Sequence, residues 1–243
     1  MTETNRFTSR SRRNKRGVAF IVLLSLIGIV TFHRPLFLGN LGEVCQGQVY
    51  RSAQPENGLE KLIQSKHLSS ILNLRGGSPG NSWYAHEVEL TEANGIDFYD
   101  FPMSATARPG RRQLLLLLEL FKRCRYPLLI HCKSGSDRTG LASALYLMTM
   151  NQLNPDSALS AFSLTYGHVP IGGPQRLHEP LVEYRDWLLK ENVAHTPEIF
   201  HDWVEHEYRG NDDVNIPVNP LQPGPRERVA ESHSKTGGAS RQR

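Results

Sequence analysis

The sequence of 243 residues is long enough for one domain with additional segments at its ends, and 39% hydrophobic residues exclude a wholly disordered chain. The net charge of +4 comes from the two ends: residues 1–16 contribute +5 and residues 225–243 contribute +3, so residues 17–224 carry −4. This distribution argues against a core that binds nucleic acid. The three cysteines show no metal-binding spacing and are too few for a disulfide scaffold.

The N-terminal segment consists of a basic stretch, residues 1–16, followed by an apolar segment, residues 17–38. Its continuous apolar run, residues 18–32, is shorter than the ~20 residues of a typical membrane-spanning helix. No small-x-small cleavage site follows the run, which favours an uncleaved signal anchor over a cleaved signal peptide or a buried helix. The basic flank would then stay in the cytoplasm and the rest of the chain would lie on the extracytoplasmic side.

The segment that follows alternates between predicted strands and predicted helices. Strands are predicted over residues 48–51, 70–75 and 96–101, and helices over residues 59–67, 82–94 and 111–123. Further helices are predicted from Asn154, from Leu181 to Lys190 and from Trp203 to Tyr208, with Cys45 in a linker and Cys124 in the core. Residues 210–243 are predicted to be a disordered tail. The alternation predicts an α/β fold, with a mixed or parallel sheet flanked by helices.

The most informative stretch runs from Tyr126 to Gly140. An apolar strand, residues 128–130, leads into a loop rich in Gly and Ser, which leads into an apolar helix. Backbone N–H groups of such a loop converge on one point, and the end of the helix adds positive potential. The sequence therefore predicts an anion-binding loop at the carboxyl end of this strand.

A cysteine and an arginine lie six positions apart in this loop. The loop amides and the helix end favour the thiolate form of Cys132, and the planar fork of Arg138 matches two phosphoryl oxygens. His131 can support the thiolate by hydrogen bonding, and Thr139 can donate its hydroxyl to the sulfur. The predicted substrate-binding positions are these two residues together with four that lie between Cys132 and Arg138: His131, Lys133, Ser134, Gly135, Ser136 and Thr139.

These residues resemble the cysteine-dependent phosphatases of the protein tyrosine and dual-specificity class. The signature of that class is His-Cys, five residues, Arg, then Ser or Thr, which is matched by His131, Cys132, Arg138 and Thr139. Residues 50–55, Tyr-Arg-Ser-Ala-Gln-Pro, resemble the opening of the atypical dual-specificity members of bacteria, plants and fungi. The resemblance covers about residues 48–208, within a predicted phosphatase domain of residues 39–209. Arg51 could serve the anion site or form a structural salt bridge.

The position of the general acid departs from the dual-specificity pattern. The resemblance places the acid near Ser104, where the aspartate is missing, and Asp100 is the nearest replacement. Asp137 offers a second solution, because phosphatases resembling the myotubularins have an aspartate immediately before the loop arginine. An acid must come within hydrogen-bond reach of the leaving oxygen, and Asp137 lies on the loop itself. Asp137 is therefore preferred to Asp100, and His168 is expected to be structural.

The resemblance implies hydrolysis of phosphate monoesters through a phosphocysteine, without a metal or other cofactor. The expected substrate is a protein that carries phosphotyrosine or phosphoserine. A phosphoinositide or inositol polyphosphate is the alternative substrate, because Lys133 adds positive charge at the rim of the loop. A protein of a different class, a phosphate-binding module at the membrane without catalytic activity, is a further alternative. The missing acid near Ser104 argues for this module, whereas the presence of both Cys132 and Arg138 argues against it. A sulfurtransferase or arsenate reductase would need a second redox cysteine beside Cys132. An extracytoplasmic site conflicts with a catalytic thiol, because oxidising compartments favour disulfides.

Overall fold

The computed structural model describes residues 18–26, 28–30, 33–35 and 37–210. The predicted basic stretch, residues 1–16, and all of the predicted tail except Gly210 lie outside the described residues. Within the described ranges no helix is both long and apolar enough to cross a membrane.

The fold is built on one sheet of five strands in the order β1-β2-β5-β3-β4. The strands are β1 (Gly42–Cys45), β2 (Val49–Ser52), β3 (Ser70–Asn73), β4 (Asp97–Asp100) and β5 (Leu128–His131). β1 pairs antiparallel with β2, and the remaining three pairings are parallel. The prediction of a mixed sheet flanked by helices is confirmed.

Seven α-helices connect and cover the strands among the described residues outside the N-terminal segment. They are α1 (Leu59–Lys66), α2 (Ser82–Ala93), α3 (Arg111–Arg123), α4 (Asp137–Thr149), α5 (Pro155–Ala158), α6 (Gln175–Glu191) and α7 (Pro197–His206). Two short 3₁₀ turns, Leu159–Ala161 and Leu164–Tyr166, follow α5.

The side chains of the central strands alternate between two apolar layers. Leu129 and Ile71 contact the smaller layer, which is closed by α1 and α2. Leu72 and Ile130 contact the larger layer, which is closed by α3, α4, α6 and α7. Because successive side chains of a strand point to opposite faces, short runs with apolar residues at every position form strands that are buried on both sides.

Three predictions about the elements need correction. The final helix was predicted from Trp203 to Tyr208 but spans Pro197–His206, because Thr196 caps its N-terminus and Pro197 occupies its first turn. Cys45 was predicted to lie in a linker but is the last residue of β1, a half-buried edge strand whose residues form no apolar pattern. α6 was predicted to begin at Leu181 but begins at Gln175, because Pro174 already has helical backbone angles (φ −55°) and continues directly into the helix. Cys124 is buried in the core, as predicted.

Replacing a central strand residue should destabilise the whole domain. Leu129→Ala removes a fully buried side chain of β5, so we expect the free energy of unfolding to fall by about 2–5 kcal/mol. Urea denaturation followed by circular dichroism measures the change. Leu189→Ala is the matched control, because Leu189 on α6 is 75% exposed and its loss should change the free energy by less than about 0.5 kcal/mol. An equal effect of the two changes would contradict the described core.

Candidate active site

The predicted anion-binding loop lies at the carboxyl end of β5, between the ends of β2 and β3. His131 ends the strand, and α4 begins at Asp137. Cys132 is 1% exposed, and its Sγ accepts a hydrogen bond from the N–H of Gly135 at 3.2 Å. The N–H of Gly135 therefore places a partial positive charge next to the sulfur, and the N-terminus of α4 follows five residues later in the chain.

Arg51, at the end of β2, holds the outer side of the loop. Its Nη2 donates to the carbonyls of Gly135 (2.9 Å) and Ser136 (3.3 Å), and its Nη1 donates to the carbonyl of Ala161 (2.7 Å). The guanidinium also stacks on the ring of Tyr166, 3.7 Å from its centroid. Burial lowers the pKa of Arg51 to about 10, which still leaves the side chain charged at neutral pH. Arg51 therefore serves the loop through its carbonyl groups.

Two further donors bind the beginning of the loop. Asn40 donates from Nδ2 to the carbonyl of Ser134 at 2.9 Å and to that of Tyr166 at 2.8 Å. The backbone N–H of Gln54 donates to the carbonyl of Lys133 at 3.3 Å. Together with Arg51, these donors satisfy the carbonyl groups of four successive loop residues.

His131 lies beneath the loop, where it faces a buried carboxylate. Its Nε2 is 2.7 Å from Oε1 of Glu87, at an ion-pair distance, and the two side chains are 0% and 2% exposed. Oε2 of Glu87 accepts hydrogen bonds from Gln54 Nε2 (3.0 Å) and Asn73 Nδ2 (3.3 Å). His131 was predicted to bind substrate, but the structure gives its side chain no exposed surface and places it among residues that support the loop.

Arg138 is fixed by two backbone carbonyls. Its Nη1 donates to the carbonyl of Leu74, after β3, and to that of Met103, after β4, both at 3.2 Å. The side chain is partly exposed at the mouth of the loop. The loops that follow β3 and β4 therefore restrain this guanidinium through their carbonyl groups.

The two candidate acids have different surroundings. Asp137 is the first residue of α4, and its Oδ1 lies 2.7 Å from Nδ1 of His168 and 3.2 Å from Oγ of Ser136. Asp100 is the last residue of β4, and its Oδ2 accepts a hydrogen bond from the hydroxyl of Tyr84 at 2.8 Å.

The remaining predicted positions divide by exposure. Lys133 and Ser134 are exposed at the rim, whereas Ser136 is buried. Thr139 is fully buried, and its hydroxyl has no hydrogen-bond partner in the part of the chain that the structure describes. The predicted hydrogen bond from Thr139 to the sulfur is therefore not formed in this structure.

Sequence reasoning missed several residues that shape the site. Glu87 lies on α2, far from the loop in sequence, and Asn40 precedes the first strand. His168 was expected to be structural; it is buried and it contacts Asp137 directly. A polar residue inside an otherwise buried helix face is the one signal that could have drawn attention to Glu87.

A buried cysteine, a convergent loop and a fixed arginine at a helix N-terminus define a site of the cysteine-based phosphatase kind. In agreement, the model of the family described as "Tyrosine phosphatase family" matches residues 39–179. These residues make up more than half of the chain, and the protein belongs to this tyrosine phosphatase family.

Many solved structures are similar to the chain, among them the following three. TpbA from P. aeruginosa is 21% identical, with 59% of this chain and 88% of that chain covered and a TM-score of 0.46. The catalytic core of the PP-IP phosphatase SIW14 from S. cerevisiae, in complex with citrate, is 22% identical, with 63% and 93% covered and a TM-score of 0.47. PTPMT1 in complex with PI(5)P is 16% identical, with 63% and 99% covered and a TM-score of 0.46.

Adding a methyl group at Gly135 should disable the loop. Gly135 has φ +68°, and a Cβ there would overlap the backbone of Ser52 and Ala53. We expect Gly135→Ala to displace the loop and to lower kcat/KM for para-nitrophenyl phosphate by about 100-fold, the cost of a misplacement near 1 Å.

Gly95→Ala is the matched control for this prediction. Gly95 also has a positive φ, +64°, but no atom lies within 4 Å of its added Cβ. This change should cost about 1–2 kcal/mol of stability through backbone strain and leave kcat/KM nearly unchanged. Similar activity losses in the two variants would show that strain alone, rather than displacement of the loop, causes the defect.

Proposed function

We propose that the protein hydrolyses phosphotyrosine or phosphoserine in proteins through a phosphocysteine intermediate. One observation carries the proposal: the sulfur of Cys132 lies in a loop whose Gly135 N–H donates to it at 3.2 Å, with Arg138 held across the mouth. A thiolate in such a loop is both activated and close to the position of a bound phosphoryl group.

The proposed reaction has two steps. In the first, the thiolate of Cys132 forms a bond to phosphorus while the bond from phosphorus to the leaving oxygen breaks, and Asp137 gives that oxygen a proton. In the second, a water oxygen attacks phosphorus, the sulfur leaves with its electron pair, and the proton of the water returns to Asp137. Arg138 and the loop amides stabilise the equatorial oxygens in both steps.

Asp137 is proposed as the acid because of its position. It belongs to the loop-and-helix unit that carries Arg138, so it needs no separate movement to approach the leaving group. Asp100 is held by the hydroxyl of Tyr84 at 2.8 Å, and it would have to exchange this contact for one with substrate. The serine at the position expected for the acid, Ser104, accepts hydrogen bonds from the N–H groups of Thr106 and Ala107.

A polyphosphorylated substrate, a phosphoinositide or inositol polyphosphate, is the second candidate. Lys133 is exposed at the rim, and Gln54 joins it to a second cation: the N–H of Gln54 donates to the carbonyl of Lys133, and its Oε1 accepts from Arg75 at 3.4 Å. Arg75 also stacks on Trp83 at 3.7 Å. Two cations on one rim could bind phosphates other than the one that is hydrolysed.

We further propose that the segment from residue 17 to residue 38 attaches the protein to a membrane, with the phosphatase domain on the extracytoplasmic side. Exposed apolar side chains support the attachment, among them Ile21 (64% exposed) and Val30 (70% exposed). Exposed apolar surface of this kind is typical of interaction with lipid or protein. Adding a protease to intact cells tests on which side of the membrane the domain lies. We expect the protease to digest the phosphatase domain without permeabilisation of the membrane.

Phosphate release by the reduced full-length protein tests the activity. We expect hydrolysis of a phosphotyrosine peptide, together with no detectable turnover by Cys132→Ser, which lacks the nucleophile. A panel of phosphoserine peptides, phosphoinositides and inositol polyphosphates decides the substrate class, and preference for the last two would favour the second candidate. A folded protein that turns over none of them, or that stops at phosphocysteine, would be a phosphate-binding module.

Matched variants test the identity of the acid. We expect Asp137→Asn to lower kcat for the phosphotyrosine peptide by about 10²–10⁴-fold, the contribution typical of general acid catalysis. Asp100→Asn keeps an acceptor for the hydroxyl of Tyr84 and should lower kcat by less than about threefold. The reverse order of the two losses would assign the acid to Asp100.

A further inference from the structure

Three exposed apolar residues lie in one short segment beside the active site. Leu164 is 51% exposed, Val169 is 40% exposed and Ile171 is 75% exposed. They belong to segment 164–171, which consists of the second 3₁₀ turn and the loop after it. In the part of the chain that the structure describes, none of the three is part of either apolar layer. Apolar side chains that are exposed together at a surface are typical of a contact with lipid or protein.

Segment 164–171 is tied to the catalytic loop. Asn40 donates from one side-chain nitrogen to the carbonyl of Ser134 in the loop, at 2.9 Å, and to that of Tyr166 in the segment, at 2.8 Å. Nδ1 of His168, in the middle of the segment, lies 2.7 Å from Oδ1 of Asp137. Whatever the segment contacts is therefore held next to the catalytic loop.

The proposed membrane segment enters the domain at the same place. The guanidinium of Arg34 lies over the ring of Tyr166, 5.3 Å from its centroid. Pro35 packs against Gly167, since a Cβ built on Gly167 would lie 3.5 Å from Cγ of Pro35. The chain that leaves the domain toward the membrane is thus in direct contact with segment 164–171.

Chain length limits how far this contact can lie from the bilayer. The apolar run, residues 18–32, ends three residues before Pro35, and three residues span at most about 10 Å. The polar region on each side of the hydrocarbon core is roughly 5–8 Å thick. If the run enters the core, Gly167 therefore lies at or just outside the level of the lipid headgroups. Phe37 and Leu38, which follow Pro35, add further exposed apolar surface (71% and 53%).

The charges around this surface suit lipid headgroups. The stretches 157–178 and 33–42 each contain one arginine and no carboxylate. Glu179, the next acidic residue along the chain, is paired with Arg108. Lipid phosphates attract arginine and repel carboxylates, so the surface presents to a bilayer only charges that a bilayer attracts.

We propose that segment 164–171 contacts the surface of the bilayer through Leu164, Val169 and Ile171. The proposal rests on the proposed function, in which residues 17–38 attach the protein to that membrane. Apolar side chains of an interfacial protein segment enter a bilayer by about 5–10 Å. The catalytic loop is then held at the level of the headgroups, where it meets substrates that are bound to the membrane.

Quenching of tryptophan emission by brominated lipid tests the contact. The full-length Ile171→Trp variant is bound to phosphatidylcholine vesicles brominated in the upper part of the acyl chains, and the wild-type emission is subtracted. We expect the added emission to fall by about half or more, because a side chain ~5–10 Å inside the interface lies near the bromines. Leu189→Trp is the matched control: Leu189 is also 75% exposed, but it lies on α6 about three turns beyond His178, and its emission should not be quenched.

A second reporter removes the effect of the membrane preference of tryptophan itself. The emission added by Leu164→Trp should also be quenched. In the double variant Leu164→Trp/Ile171→Asp this quenching should fall at least about twofold, because a carboxylate opposes entry into the interface. Leu189→Asp in place of Ile171→Asp should leave the quenching unchanged. Urea denaturation of each variant checks that it is folded.

Three outcomes would overturn the proposal: no quenching of Ile171→Trp, equal quenching of Leu189→Trp, or quenching of Leu164→Trp that Ile171→Asp does not change. The first outcome would leave a protein partner or a second copy of the chain as the occupant of the surface. Flotation of the wild-type protein with the vesicles is measured beside these tests. A wild type that does not float would overturn both the attachment by residues 17–38 and the contact that depends on it. Phosphate release from para-nitrophenyl phosphate is measured without vesicles, and its absence would count against the phosphatase reaction and not against the contact.

Discussion

A loop that turns its backbone N–H groups toward one point must turn its carbonyl groups outward, and these carbonyls need donors. Here the carbonyls of residues 133–136 accept hydrogen bonds from Gln54, Asn40 and Arg51. The three donors come from the segment before β1 and from the end of β2, so they reach the loop only when the sheet has formed. The anion site is therefore a product of the tertiary fold, although its residues are contiguous in sequence.

The same region contains several buried ionisable groups, among them Arg51 and Glu87. Arg51 is surrounded by carbonyl oxygens and the ring of Tyr166, and its lowered pKa reflects the cost of desolvation. Glu87 faces His131 and accepts hydrogen bonds from two side-chain amides. Removing one partner of such a pair leaves the other partner buried and unpaired. The free-energy cost of that removal is larger than the stabilisation that the intact pair contributes. These groups fix one geometry beneath the loop, and the apolar layers on both faces of the sheet offset their desolvation.

The sequence predicted the parts of the fold that depend on local pattern. The loop with Cys132 and Arg138 follows an apolar strand and precedes an apolar helix, and each of these signals lies within fifteen residues. β1 was missed because an edge strand that is half exposed has no run of apolar residues. Glu87 and His168 were missed as site residues because their roles depend on contacts with residues more than thirty positions away, which spacing does not encode.

The segment after β4 explains why an acid on the loop is compatible with this chain. In the resembled class that segment carries the acid, whereas here the carbonyl of Met103 holds Arg138 and Ser104 accepts two N–H groups of its own turn. A large movement of the segment would release the arginine that the reaction needs. An acid at the first position of α4 avoids this conflict, because Asp137 is adjacent in sequence to Arg138 and stays beside it without any movement of the segment after β4.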